Sequence, residues 1–460
     1  MTQLQDSTKL LLYLIVEIIL TILMAVSPWG SVWLSISIAW TYLMYRPRNV
    51  LHPNNMVFAF YGLYIILSST LNLVLNLIDW EYVLPWGQQV FWDAMSPTLL
   101  FQAKFTFLVL FFGLYWFCKD RLQTRDLSFD QIEVNPVWRR SLAAISVALV
   151  LLFMHSTAGL DAWITDYSFT YLTKREGHGL LNVIIIALGN VAVFLFGLEA
   201  RRAQRKGLTI LVALLVMMTL SYIGGIKSRF IFLLIVFLSP WFMDMRFRLR
   251  TLVALTVSFF VLLYLGTLIR TEGFYASAPY FIEMLVGYFN AFQLHDWIVT
   301  SRPPGFFETV WQVFVKPLQI LGMVSLDESF DISVMLTKEY FPEQWELEHA
   351  TQQWPLDTEL YLNYYGMWLS WLPLLMYSAI QGWLYRNAVL RANFCLMPIF
   401  VMEFQRIFST LRGTLIPWET PIYIVQYLLI YQLCRMAIRQ HSEPNTSAPS
   451  RGPQVVPRQD

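Results

Sequence analysis

A short turn holds two glycines and two cations between apolar segments of the chain. Its sequence is Gly224-Gly225-Ile226-Lys227-Ser228-Arg229. Glycine amides followed by a helix N-terminus and a cation form an anion-binding site. The alternative is that Lys227 and Arg229 only extend their charged ends to the membrane surface. Because simple extension requires neither the glycines nor so tight a turn, the sequence favours an anion site.

A second group of charges lies within one apolar segment, 392–413. This segment carries Glu403, Arg406 and Arg412. A helix that begins at Ala392 places Arg406 about 21 Å along its axis, where a lone charge costs above ~2.5 kcal/mol on membrane-insertion scales. We therefore expect the helix to line a hydrated cavity. The alternative is a purely structural pair between Glu403 and Arg406, which are one turn apart.

Both groups are rich in arginine, whose planar side chain donates paired hydrogen bonds to phosphate and stays charged. The sequence holds no Walker motif and no glycine-rich dinucleotide turn. An energy source that arrives from within the membrane, such as a lipid diphosphate, therefore fits. The 3 cysteines and 6 histidines show no metal-ligand spacing, so no metal and no cofactor are predicted.

The composition places these residues in a membrane protein. Hydrophobic residues make up 57% of the 460 residues and charged residues 14%, against about 25% charged in soluble domains. A crossing needs roughly 20 apolar residues. The predicted spans are 8–27, 31–45, 55–77, 98–118, 141–158, 180–200, 208–224, 230–244, 251–269, 360–385, 392–413 and 420–438. The prediction is an all-α polytopic protein of about 12 transmembrane helices, folded as a single transmembrane domain over residues 1–438.

The distribution of basic residues predicts the orientation. The larger share of the 32 Lys and Arg falls on one side of this arrangement, and basic loops stay in the cytoplasm. Both termini are then cytoplasmic, and the membrane is predicted to be an inner membrane. Long outer loops are predicted at about 158–179 and 270–359, the second with short amphipathic helices. Residues 439–460 are predicted to form a disordered cytoplasmic tail.

Two charges within the predicted spans have simpler interpretations. A charged group inside a bilayer is costly unless it is paired or reaches water. Glu17 is therefore expected to pair with a neighbour, and Lys104 is expected to extend to the outer surface.

Three segments resemble one known family. They are GGIKSRFIFLLIVF (Gly224–Phe237), TELYLNYYGMWLSWLPLLMY (Thr358–Tyr377) and YLTKREGHGLL (Tyr171–Leu181). They are similar to segments of the bacterial oligosaccharide repeat-unit polymerases, which include O-antigen and enterobacterial common antigen polymerases. The resemblance covers about residues 150–415. The paired Arg-x10-Gly loop motifs of some members are absent, since neither Arg175 nor Arg270 has a glycine eleven residues on.

The resemblance implies a C-type, metal-independent glycosyltransferase that acts at the periplasmic face. The donor would be a glycan on undecaprenyl diphosphate, and the acceptor a lipid-linked repeat unit whose sugar hydroxyl attacks the donor. The implied partners are these undecaprenyl diphosphate-linked oligosaccharides, membrane lipid and a chain-length regulator protein, without nucleic acid.

The resemblance also implies roles for particular residues. Stabilising the leaving diphosphate is assigned to Arg229, Arg270 and Arg406, with Lys227, Arg175 and Arg412 in support. The base that accepts the proton of the hydroxyl is assigned first to Glu359, then to Asp357 and His349. Glu359 is expected to be ionised at neutral pH, because the helix dipole and nearby arginines favour the charged form.

Other functions remain open. An O-antigen ligase uses the same donor but transfers the glycan to lipid A core. A transporter or flippase for polysaccharide or lipid would not be an enzyme, and such proteins usually show repeated halves and a polar path across the membrane. No repeat is evident here, and the unusual charges cluster on the outer side. A structural subunit is the remaining alternative.

Overall fold

The structure of the chain is a computed structural model. It describes residues 2–80, 83–84, 88–89, 95–119, 132–167, 170, 178–202, 206–224, 226–246, 248, 250, 253, 257–258, 260–261, 263–265, 268, 278–289, 291–310, 315, 318, 323, 332–348, 351–417 and 419–440.

Helices dominate the first half of the described chain. They are α1 (Thr2–Val26), α2 (Gly30–Tyr45), α3 (Asn54–Tyr61), which continues through a π-helical turn (Gly62–Leu67) into α4 (Ser68–Leu77), α5 (Pro97–Phe117), α6 (Pro136–Thr157), α7 (Leu160–Thr165), α8 (Gly179–Arg202), α9 (Gly207–Tyr222) and α10 (Ile226–Phe242).

The second half continues in the same way. Its helices are α11 (Ala278–Tyr288), α12 (Ala291–Ser301), α13 (Ile332–Tyr340), α14 (Pro342–Glu348), α15 (Leu356–Asn363), α16 (Met367–Tyr385) with a π-helical end (Arg386–Leu390), α17 (Met397–Leu411) and α18 (Thr420–Ala437). Two small antiparallel pairs complete the description: β1 (Val83–Leu84) with β2 (Gln88–Gln89), and β3 (Ile132–Val134) with β4 (Ile438–Gln440).

The protein is an all-α membrane-spanning protein. Among the described residues, five helical segments are long and apolar enough to cross a bilayer, and α9 and residues 229–242 are shorter apolar helices. The five are Ser7–Val26, Asn54–Leu77, Pro97–Phe117, Pro136–Thr157 and Gly179–Arg202. Each predicted span except 251–269, most of which lies outside the described residues, coincides with helix. The total of twelve crossings stays a prediction.

Two predicted spans have different boundaries. The segment 360–385 is not continuous, because Tyr365 (φ 52°) and Gly366 (φ 59°) adopt left-handed backbone conformations that end one helix before the next begins. The spanning helix therefore starts at Met367, and α15 is a separate short helix that precedes it.

The segment 392–413 is also shorter than predicted. Its helix starts only at Met397, after Ala392 takes a left-handed φ of 53°. Arg406 then lies about 14 Å along the helix axis rather than about 21 Å.

The loop 270–359 contains short helices, as its apolar stretches predicted. Helices α11 to α14 fall within it. One apolar stretch of this loop that was predicted to form a short amphipathic helix, 306–323, lies mostly outside the described residues, and its described beginning, 306–310, is not helical.

The predicted tail begins with ordered backbone. Ile132 pairs with Gln440 and Val134 with Ile438 in the antiparallel β3–β4 ladder. The ordered chain thus continues into the region predicted to be disordered, and residues 441–460 lie outside the described residues.

Helix α8 occupies the centre of one half of the bundle, and α5 packs on α16 in the other. Where α8 crosses α10, the two backbones are close together: a Cβ on Gly197 of α8 would lie 2.2 Å from the carbonyl oxygen of Phe237 in α10. Where α16 crosses α5, a Cβ on Gly382 of α16 would lie 2.5 Å from the Cβ of Phe117 in α5. Only glycine permits these crossings, because any side chain would overlap the facing helix.

A buried ion pair joins α1 to α5. The Lys104 ammonium lies 2.7 Å from Glu17 Oε2, and the hydroxyls of Ser37 and Thr41 also donate to this carboxylate. Lys104 donates in addition to the hydroxyl of Thr21 at 2.7 Å. The pairing of Glu17 is as predicted. The prediction that Lys104 extends to the surface was wrong, since it is only 6% exposed.

This pair generates a stability prediction. We expect Lys104→Met to lower the free energy of unfolding by about 3–5 kcal/mol, because it leaves a buried carboxylate without its cation. The double variant Glu17→Gln/Lys104→Met should recover much of the loss. Thermal unfolding in detergent provides the measurement, with Lys206→Met, at an exposed lysine just before α9, as the control. Equal stability of Lys104→Met and the control would contradict a stabilising ion pair.

The orientation is tested by cysteine labelling in intact cells. We expect cysteines at the exposed positions Asp166 and Glu346 to react with an impermeant reagent added outside, and a cysteine at exposed Arg439 to react only after lysis. Labelling of the Arg439 position from outside would contradict the predicted topology.

Candidate functional site

Helix α15 is buried over its whole length although it carries several polar side chains. All eight residues from Leu356 to Asn363 are buried, including Asp357 and Glu359. A buried polar group without a hydrogen-bond partner costs about 1–3 kcal/mol. The elements that surround α15 supply most of the partners that its polar groups need.

Asp357 is held by helix α5. The Thr106 hydroxyl donates to Asp357 Oδ1 at 2.7 Å, and the Gln102 amide donates to the Asp357 carbonyl at 2.6 Å. Asp357 Oδ2 is buried and has no hydrogen-bond partner among the described residues. Burial raises the pKa of the Asp357 carboxyl to about 6, and the Thr106 hydrogen bond offsets part of that rise.

Glu359 is held by the segment that follows α17. The backbone N–H of Leu415 donates to Glu359 Oε2 at 2.7 Å. Burial raises the pKa of the Glu359 carboxyl to about 8, and the Leu415 hydrogen bond offsets part of that rise. The expectation that Glu359 is ionised at neutral pH was therefore wrong, because loss of hydration outweighs the favourable hydrogen bond.

Thr358, between the two acids, contacts His295, which was not among the predicted site residues. Its hydroxyl lies 3.0 Å from Nδ1 of His295 on α12. Burial lowers the pKa of His295 to about 3, so its imidazole is neutral. His295 is 63 residues away in sequence, and a lone histidine in an apolar segment gives no spacing signal that would have revealed it.

The end of α15 is fixed by residues 305–309. The Asn363 amide donates to Thr309 Oγ1, and Asn363 Oδ1 accepts from the Thr309 N–H, both at 2.7 Å. Gly305 N–H donates to the Tyr361 carbonyl, and Gly305 accepts from the N–H of Tyr365, each at 3.0 Å. These bonds fix where α15 stops and the spanning helix α16 starts.

Arg229 lines a small polar pocket at the predicted glycine turn. The pocket has a volume of about 220 Å³ and is bounded by α8, α9 and α10. The aliphatic part of Arg229 lies against Gly224, where a Cβ would come within 3.1 Å of Arg229 Cγ. Within the described part of the chain, Arg229 has no ion-pair partner. Judged by the described residues, the pocket therefore presents a guanidinium to which an anion can bind.

Arg406, in contrast, is already paired. It donates to Glu403 Oε1 at 2.7 Å and to the Tyr427 hydroxyl at 2.9 Å, and it stacks on the ring of Tyr423 at 3.7 Å. The second oxygen of Glu403 accepts from the Gln381 amide at 3.0 Å. These contacts favour the structural pair that the sequence analysis left as the alternative for Arg406.

Arg412 lies at the end of α17, within hydrogen-bonding reach of the Tyr64 hydroxyl. That hydroxyl donates to Gln353, just before α15, at 3.1 Å. The backbone N–H of Leu415 donates to Glu359. The end of α17 and the residues after it therefore place Arg412 near the segment that precedes α15, and the Leu415 N–H against α15 itself.

The structure brings some of the predicted site residues together. Asp357 and Glu359 share α15. Helix α17, which carries Arg406, packs on α10, which carries Arg229, and the amide of Gln405 donates to the carbonyl of Phe232 at 3.0 Å. Other predicted site residues lie outside the described residues: Arg175, Arg270, His349 and the side chain of Lys227.

Comparison of the chain with protein-family models, with curated proteins and with solved structures finds no match.

Arg406 has an ion-pair partner and Arg229 has none among the residues that the structure describes, and this contrast generates a prediction. We expect Arg229→Lys to bind inorganic pyrophosphate about tenfold more weakly without loss of thermal stability, because the lysine point charge replaces a bidentate donor. Arg406→Lys should instead lower thermal stability, because it loses its stacking on Tyr423 and its fixed hydrogen bonds. Titration calorimetry and thermal unfolding measure the two effects. Weaker binding by Arg406→Lys at unchanged stability would make Arg406 a phosphate ligand.

Proposed function

We propose that the protein is a polymerase of lipid-linked oligosaccharide repeat units, a glycosyltransferase acting at the periplasmic face of the bacterial inner membrane. The observation that carries the proposal is Arg229, which lies in a polar pocket of a membrane-spanning bundle and has no ion-pair partner among the described residues. A fixed cation in such a site is costly unless an anion comes to it. The resemblance of the Gly224–Phe237 segment to repeat-unit polymerases names that anion as a lipid diphosphate.

The reaction joins two lipid-linked glycans. A hydroxyl of the acceptor repeat unit attacks the anomeric carbon of the donor sugar. The bond between that carbon and the diphosphate oxygen breaks, and undecaprenyl diphosphate leaves with the electron pair. The proton of the hydroxyl passes to a carboxylate. Undecaprenyl diphosphate and a longer lipid-linked glycan are the products.

The leaving diphosphate gains charge, and preorganised cations stabilise it. Arg229 is the first residue proposed for this role. Arg270, Arg175 and Lys227 share it through the resemblance, and Arg412 supports it from the end of α17. Arg406 contributes by joining α17 to α18 through the Tyr427 hydroxyl, a role supported by that hydrogen bond.

Glu359 is the proposed base, with Asp357 and then His349 as alternatives. A base works best when its pKa lies near the working pH. Burial brings the pKa of Glu359 to about 8 and that of Asp357 to about 6, and both values suit proton transfer near neutrality.

A deletion strain tests the proposed function. We expect its lipopolysaccharide or capsule to carry a single repeat unit instead of a ladder of polymer, and the wild-type gene to restore the ladder. An O-antigen ligase would give a different result, since its loss leaves polymer on the lipid carrier and none on lipid A core. A transporter would leave the lipid-linked repeat units on the cytoplasmic side. Either pattern would contradict the polymerase.

The role of Glu359 is tested in the same strain and with purified protein. We expect Glu359→Gln to reach normal abundance but to lose chain extension by about 10²-fold or more. Because the base must be ionised, wild-type activity should fall as the pH falls through about 8, the pKa of Glu359. Glu346→Gln, at an exposed position of α14, is the matched control.

Two outcomes would reassign this role. An activity profile that falls through about 6 instead, and that Glu359→Gln leaves in place, would make Asp357 the base. Near-normal polymer from Glu359→Gln with a profile near neither value would exclude both carboxyls.

A further inference from the structure

An apolar groove lies on the outside of the helical hairpin formed by α9 and α10, against α6. Its volume is about 980 Å³, at the upper end of the range for small-molecule sites, which is about 300–1,000 Å³. Its walls are made by Val150 and Met154 of α6, by Met218 and Tyr222 of α9 and by Phe230 and Ile231 of α10.

The groove offers no free hydroxyl to a ligand, although three hydroxyl groups line it. Ser221 donates to the Met217 carbonyl at 2.6 Å, and Thr219 donates to the Leu215 carbonyl at 3.0 Å. The Tyr222 hydroxyl donates to the carbonyl of Trp163 at 2.7 Å. Since these donors are already used within the protein, the groove suits hydrocarbon and not a polar ligand.

The groove and the Arg229 pocket are built on the same turns of the hairpin. Met218 and Tyr222 face the groove, whereas Leu220 and Gly224 face the pocket. On α10, Ile231 lines the groove and Arg229 the pocket. The two sites are thus separated by about the width of a helix, roughly 10–12 Å. One amphipathic molecule that crosses the tip of the hairpin reaches both.

A second apolar groove, between α5 and α16, provides a comparison. It has a volume of about 700 Å³ and includes Phe105, Val109 and Trp371 among its walls. The cation nearest to it in sequence, Lys104, is paired with Glu17. Charge complementarity therefore singles out the groove beside Arg229 for a lipid with an anionic head.

We propose that the groove formed by α6, α9 and α10 holds the isoprenoid chain of the donor lipid while its diphosphate binds at Arg229. The inference rests on the proposed function, because that function makes the anion a lipid diphosphate. Burial of the CH₂ groups of the chain removes apolar surface from water and so favours binding. The groove thus supplies affinity for the lipid, and the pocket fixes the position of the scissile bond.

The test compares donors whose diphosphate carries a long or a short isoprenoid chain. We expect Met218→Trp, which fills the groove, to raise the KM for the long-chain donor about tenfold, the loss that follows when about two CH₂ groups are no longer buried. The KM for the short-chain donor and both kcat values should stay unchanged. Leu215→Trp is the matched control, since it is 57% exposed against 61% for Met218 but lies outside the groove.

A second variant guards against a folding defect. Ile231→Trp approaches the groove from α10, and we expect it to reproduce the chain-length effect, with a thermal midpoint like that of the control. An equal effect of Met218→Trp on long-chain and short-chain donors would overturn the inference and make the groove a site for a bilayer phospholipid. Identical kinetics of Met218→Trp and Leu215→Trp would also overturn it.

The proposed function fails in a different way. If wild-type protein extends neither donor, the proposal that the protein is a polymerase is wrong, whatever the groove variants do. If wild-type protein extends both donors and the groove variants show no chain-length effect, only the groove assignment is wrong.

Discussion

The hydrogen-bond requirement of one buried polar helix organises the centre of this protein. Helix α15 carries Asp357, Thr358 and Glu359 in succession, and none of them reaches solvent freely. Each therefore needs a partner inside the protein. The partners come from distant parts of the chain: Thr106 in a spanning helix, His295 in the long loop and the Leu415 backbone after α17. One short helix thus fixes the spanning bundle, the loop and the end of α17 relative to one another.

The same requirement explains the charges within the bundle and shows which of them are exceptional. Lys104 and Arg406 are each matched by a carboxylate and by hydroxyl groups, so their charges hold helices together. Within the described residues, Arg229 lacks such a counter-charge, and Asp357 Oδ2 lacks a hydrogen-bond donor. Arg229 is thus a cation to which an anionic ligand can bind, and the proposed anion site is built on it.

The helices of this fold could be predicted because crossing a bilayer sets a minimum apolar length that is visible in sequence. Their breaks could not, since Tyr365 and Ala392 take left-handed conformations that their residue types do not signal. The candidate carboxylates were found from their place before a span. Their protonation was missed because burial, which raises their pKa values, depends on contacts far away in sequence. The same distance concealed His295 and the partner of Lys104.

Two carboxyls on one helix differ in pKa because their surroundings differ. Burial raises the pKa of both carboxyls, and hydrogen bonds offset part of the rise. At Asp357 the hydroxyl of Thr106 donates, and at Glu359 the backbone N–H of Leu415 donates. Between about pH 6 and about pH 8 the first is ionised and the second is protonated. The carboxyl with the higher pKa is the stronger base once it is ionised. The stronger base therefore lies where the chain after α17 meets α15.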